Sequence, residues 1–189
     1  MAILIAGIVL WSITHLVPAL APSVRGKLVG ALGPAPYKGL FSFDILLAIG
    51  LIVWGWKTAS PSHVYAPPLA GSIIPGVLIA IAFVLIVASS TRNNIKRHVR
   101  HPQMTAVILW GTGHLLANGD SRSLVLFGGL TAWALLEILF INHRDGDWQK
   151  PEQQPLTSDL ITIVVGALAC AVLAHFHQSL FGVPAMASY

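Results

Sequence analysis

The sequence predicts an all-α integral membrane bundle of about six transmembrane helices, with the N-terminus and the C-terminus outside. Three observations carry this expectation. First, hydrophobic residues make up 55% of the 189-residue chain and charged residues only 10%, against roughly 25% charged residues in soluble domains. A chain so poor in charge cannot clothe a globule of this size in polar surface, which excludes a soluble enzyme, and its mean hydropathy of +0.74 excludes intrinsic disorder. Second, apolar stretches near the ~20 residues that a spanning helix needs recur along the chain. Third, lysine and arginine concentrate in alternate loops.

The spans are expected at Ala2–Leu20, Leu40–Trp56, Leu69–Ala88, Met104–Ala117, Leu124–Ile141 and Leu160–Phe181. The first is apolar from residue 2, with no basic leader and no small-residue cleavage site, and reads as a retained helix. The fourth is short and meets the fifth across the turn Asn118-Gly119-Asp120-Ser121. The loops after spans one, three and five carry Arg25, Lys27, Lys38, Arg92, Lys96, Arg97, Arg100, Arg144 and Lys150; the others carry only Lys57 and Arg122. The positive-inside rule puts the richer set in the cytoplasm. The net charge of +4 is therefore read as a topology signal, and no nucleic-acid partner is expected. The chain reads as a single transmembrane domain, residues 1–189, in contact with the lipid bilayer. One cysteine, Cys170, allows neither an intramolecular disulfide nor a multi-cysteine metal site.

Ionisable groups inside spans are costly and turn toward a bundle interior. His15, Asp44, Glu137, Asn142 and His143, with His98, His101 and Gln103, are expected to form a polar basin at the cytoplasmic side. His114 is expected near mid-depth of the fourth span. Neutral imidazole ligates metals, including haem iron, and two histidines on different helices can clamp a macrocycle. His15 and His114 are the best pair by depth, although for any single histidine a hydrogen bond to a neighbouring helix is the plainer reading. His175 and His177 point about 200° apart on a helix, so at most one faces the bundle. Asp44 and Glu137 are each expected to pair with a basic loop residue or a histidine. Pro102 suits a helix first turn. Arg97, Arg100 and His101, with that helix start, make a place for an anion: a lipid phosphate, a haem propionate or a cofactor carboxylate.

The stretch Arg97-His98-Val99-Arg100-His101-Pro102-Gln103-Met104, then Leu109-Trp110-Gly111-Thr112-Gly113-His114-Leu115-Leu116-Ala117-Asn118-Gly119-Asp120, resembles the NnrU family. So do Arg122-Ser123-Leu124-Val125-Leu126-Phe127-Gly128-Gly129 and, earlier, His15 with Pro18 and Arg25, Gly33, Tyr37, Leu40-Phe41-Ser42 and Val53-Trp54-Gly55. The resemblance extends to about residue 143. It implies a multi-pass protein of the bacterial inner (cytoplasmic) membrane, associated with denitrification and with a nitrite or nitric oxide reductase system.

The family is similar to the plant 15-cis-zeta-carotene isomerase, a membrane protein that uses haem b to isomerise an apolar polyene. Its ligand histidines match His15 and His114, which the resemblance thus implies as the axial ligands of haem b. Arg97, Arg100 and His101 would then stabilise propionates or shape the mouth, and Gln103 and Asn118 would orient contacts or helix ends. Where the isomerase has a cysteine three residues before its second histidine, this chain has Gly111, so a thiolate-for-imidazole switch is not expected. The RHP motif is also similar to that of isoprenylcysteine-type membrane methyltransferases, which bind S-adenosylmethionine. Their later Glu-Glu pair is reduced here to Glu137, followed by Ile138-Leu139-Phe140. Whether a bound haem is redox-active, sensory or catalytic stays open at this point.

Overall fold

The computed structural model describes residues 1–185. The chain is all-α, 77% helical, with no strand among the described residues. Seven helices follow in order: α1 (Ala2–Leu20), α2 (Pro22–Leu32), α3 (Pro34–Thr58), α4 (Ile74–Ser90), α5 (Pro102–Ala117), α6 (Ser121–Asp145) and α7 (Leu156–Phe181). Proline opens α2, α3, α4 and α5 within their first two positions, where its missing N–H would have no intrahelical partner. Gly33, at φ +87°, separates α2 from α3, a backbone conformation that glycine adopts without strain.

Four helices, α1, α3, α6 and α7, are long and apolar enough to cross a membrane. The expected third and fourth spans are the 17-residue α4 and the 16-residue α5, each about 25 Å long at 1.5 Å per residue, short of the ~30 Å hydrocarbon core. The third begins later than expected because Leu69–Gly71 is a turn, with Gly71 at φ +75°. The segment after α1, expected as loop, is the helix α2. Proline at its start sets it up, and its eleven residues, with Arg25 and Lys27 among them, are too short and too polar for a spanning run.

The chain forms two compact units. The first, Met1–Val64 with Asp120–Asp147, contains α1, α2, α3 and α6. Its helices meet through small residues, as membrane bundles favour. A Cβ on Gly7 would lie 2.8 Å from the Ile52 nitrogen, one on Gly55 would strike the Leu4 backbone, and one on Gly129 would lie 3.0 Å from Ile8 Cγ2. The Gly128-Gly129 pair therefore serves helix contact at Gly129. Leu4, Ala48, Trp133 and Ala134 form the buried interior. A π-helical turn over Leu124–Gly128 interrupts α6.

The second unit holds Tyr65–Gly119 and the chain from Trp148 onward, and so α4, α5 and α7. Ala82, Leu85 and Ala106 are its core, covered by Ile95, Val99, Leu109 and Trp110. A Cβ on Gly166 would stand 2.6 Å from Val84 Cα, and one on Gly113 3.0 Å from the Pro75 carbonyl. Along all four long helices large apolar side chains face outward, among them Val9, Leu46, Leu139 and Leu168. That surface suits hydrocarbon rather than water.

Candidate functional site

His15 sits in the last third of α1, half-buried, inside an aromatic box of the first unit. Its ring lies 4.2 Å from Trp11, 5.1 Å from Trp133 and 5.7 Å from Phe41, centroid to centroid. Nδ1 is 2.8 Å from the Trp11 carbonyl oxygen, one turn back on the same helix. A carbonyl can only accept, so Nδ1 carries the proton and Nε2 presents the lone pair. The box also contains unsatisfied polar atoms. Trp11 Nε1, Trp133 Nε1 and Glu137 Oε2 are buried without a hydrogen-bond partner, a state native interiors rarely leave without a role. Trp133 and Glu137 are one turn apart on α6, and the indole N–H lies near the carboxyl without reaching hydrogen-bond geometry.

His114, in the second unit, repeats the local pattern. Nδ1 is 2.8 Å from the Trp110 carbonyl oxygen, four residues back, and the two rings are 5.0 Å apart. The same reasoning gives Nε2 the lone pair. Both histidines thus bond within their own helix, where a bond to a neighbouring helix was the plainer expectation. His114 stands in the last turn of α5, which ends at Ala117. That last turn is tightly held. Asn118 donates both its backbone N–H (2.8 Å) and its side-chain amide (2.9 Å) to the His114 carbonyl. The Tyr65 hydroxyl donates to the carbonyls of Leu115 (2.6 Å) and Asn118 (2.9 Å). These bonds satisfy carbonyls that a helix end leaves orphaned. Asn118 orients a helix end, as expected; the role of Tyr65 was not foreseen.

The basic segment before α5 is anchored within the second unit. Arg97 closes a short 3₁₀ turn, Ile95–Arg97, and its Nη1 donates to the Pro151 carbonyl at 3.1 Å. His101 caps α5 with its backbone, its carbonyl accepting from Thr105 N–H at 2.9 Å. Arg100 is half-buried and Gln103 exposed. Three residues missed in the sequence, Asn93, Asn94 and Asp159, fix this segment. The Asp159 carboxylate accepts from the Asn94 N–H and from its side-chain amide, both at 2.7 Å, and Asn94 also bonds Gln154 in both directions at 2.8 Å. Asn93, 1% exposed, donates to the Ala88 and Thr91 carbonyls.

Glu137 is 8% exposed; Asp44 is half-buried. Neither is within salt-bridge distance of a described cation, although Arg144 lies within electrostatic reach of Glu137. Among the described residues the one salt bridge joins Arg144 to Asp145 at 2.7 Å. Glu137 faces the core beside Trp133, and the nearest cation along its helix is engaged by Asp145. Of the α7 histidines, His175 is exposed, whereas His177 is half-buried, bonds the Val183 carbonyl at 2.7 Å and lies within electrostatic reach of His114. That agrees with at most one of them facing protein.

The helices define a membrane protein: an all-α chain whose four longest elements are clothed in apolar side chains, with one tryptophan-backed histidine on α1 and another on α5. A comparison with curated proteins and with solved structures finds no match. The family model described as NnrU protein matches residues 3–185, nearly the whole chain, and the chain belongs to the NnrU family.

Proposed function

We propose that this protein is a multi-pass, haem b-binding protein of the bacterial inner membrane, with His15 and His114 as axial ligands, serving nitrite or nitric oxide reduction. The observation that carries this reading is the shared state of the two imidazoles. Each commits Nδ1–H to the carbonyl four residues back and packs on the tryptophan there. This bond fixes the tautomer and orientation that a metal-ligating histidine needs. Neutral imidazoles suit a ferrous or ferric porphyrin, and the unsatisfied indole N–H groups of Trp11 and Trp133 near His15 leave polar atoms for such a ligand to engage. Haem would supply electron transfer or binding of a diatomic ligand, according to whether both histidines stay bound. Arg97, Arg100, His101 and Gln103 would serve its carboxylates. In this reading α4 and α5 also cross the bilayer, giving six spans with both termini outside. Purified His15→Ala and His114→Ala variants should each retain less haem than the parent. Full retention in both refutes the assignment; loss in His177→Ala but not in His15→Ala would move the ligand opposite His114 from α1 to α7.

A further inference from the structure

Pro18, Arg25, Tyr37, Lys38, Phe41 and Ser42 line a cleft of about 350 Å³, all within the first unit. Pro18 lies in the last turn of α1, Arg25 on α2, and the rest on the first turns of α3. Two cations face this space and no carboxylate lines it. The Arg25 guanidinium is 5.9 Å from the centre of the Tyr37 ring, an aromatic contact that places the cation without neutralising it. On α6, Arg144 Nη1 donates to the Pro18 carbonyl at 3.5 Å, but its charge is matched by Asp145 at 2.7 Å, so Arg25 and Lys38 carry the charge of the cleft. Ser42 and Tyr37 add hydroxyls. The cleft therefore carries uncompensated positive charge and neutral donors together.

Its position matters as much as its charge. It lies where α1 ends and α3 begins, at the termini of two helices long and apolar enough to span a membrane. Beside it the surface is apolar. Val24, Leu28 and Leu32 are exposed at successive turns of α2, and Leu40, Phe43 and Leu47 on α3.

We propose that this cleft binds the phosphate head of an anionic phospholipid, its acyl chains lying on the exposed apolar faces of α2 and α3. Arginine and lysine bind phosphate oxygens through charge-assisted hydrogen bonds. A zwitterionic head would bring its own cation against Arg25 and Lys38, and a free phosphate would leave the adjoining apolar faces unused. The volume is at the lower end for small-molecule sites and suits a compact head. The inference is independent of the haem assignment.

The test uses the full-length protein in detergent, with lipid retention read by native mass spectrometry and thermal unfolding followed with added short-chain lipid. The wild type is expected to retain phosphatidylglycerol at least tenfold more tightly than phosphatidylcholine. Arg25→Gln with Lys38→Gln should erase that preference, and Lys57→Gln, which removes a charge elsewhere, should not. If the double variant does not fold, Lys38→Gln and Arg25→Lys alone should each weaken the preference several-fold. Three results would overturn the proposal. They are equal retention of the two lipids by the wild type, unchanged preference in the folded variants, and protection by inorganic phosphate equal to that by phosphatidylglycerol.

Discussion

Replacing Tyr65 by phenylalanine removes one hydroxyl hydrogen from the end of α5 and leaves the ring in place. That hydrogen is shared between the Leu115 carbonyl at 2.6 Å and the Asn118 carbonyl at 2.9 Å. One neutral hydrogen bond contributes about 0.5–1.5 kcal/mol net, and leaving a buried acceptor unmade raises the cost toward 3. Both acceptors belong to half-buried residues, so water recovers part of the loss. The expected local cost is about 1–2 kcal/mol, a factor of roughly 5–30 in opening equilibrium. Amide hydrogen exchange reads it directly. The Asn118 amide, bonded to the His114 carbonyl at 2.8 Å, should exchange about 5–30 times faster in Tyr65→Phe, with amides near Ala106 unchanged. Asn118→Ala should loosen the same turn, and the double variant should fall short of additivity because both act on one structure. A rise at Asn118 below twofold, or an equal rise along all of α5, would refute the claim that Tyr65 locks the turn bearing His114.

Glycines separate by what lies beyond them. Gly166→Leu, which drives a side chain into Val84, should destabilise by about 1–3 kcal/mol or more, whereas Gly50→Ala, facing open space, should stabilise by about 0.5–1 kcal/mol; thermal unfolding in detergent compares them. Asp120 caps α6, accepting from the Ser123 N–H at 3.0 Å and hydroxyl at 2.6 Å, so Asp120→Ala should cost about 1 kcal/mol at neutral pH. Burial pushes this carboxyl up, but the Ser123 hydrogen bonds and the Arg122 charge outweigh it and hold it below its ordinary value of 3.8. A carboxyl depressed in the folded state stabilises fully above its unfolded value and loses that effect as pH falls through the folded one. The gap between parent and variant should therefore hold from neutrality down to about pH 3.8 and close below it.

The fold class was legible because apolar runs of spanning length need no tertiary information. Ala2–Leu20 matches α1 end to end, and Pro102 opens α5 as its missing N–H requires. The helix α2 was not read from the sequence, since its eleven residues fall far short of a span and carry Arg25 and Lys27, although Val24, Leu28 and Leu32 repeat at helical spacing. Nor was the burial of Glu137 beside Trp133, which depends on which way α6 turns. The site was half legible. The histidines stood out as ionisable groups in apolar runs, and the repeated spacing Trp11 to His15 and Trp110 to His114 was available as a signal for their backing. The clamp from Tyr65 and the anchor from Asn94 to Asp159 join residues 50 to 65 positions apart. No local pattern reports such pairs.

The most direct test of the central claim is an absorption spectrum of the detergent-purified protein, oxidised and then dithionite-reduced, with a pyridine haemochrome assay. The account predicts a Soret band and sharp reduced bands of low-spin b-type haem, lost or weakened in His15→Ala and His114→Ala. A featureless visible spectrum that persists after reconstitution with haem would contradict it.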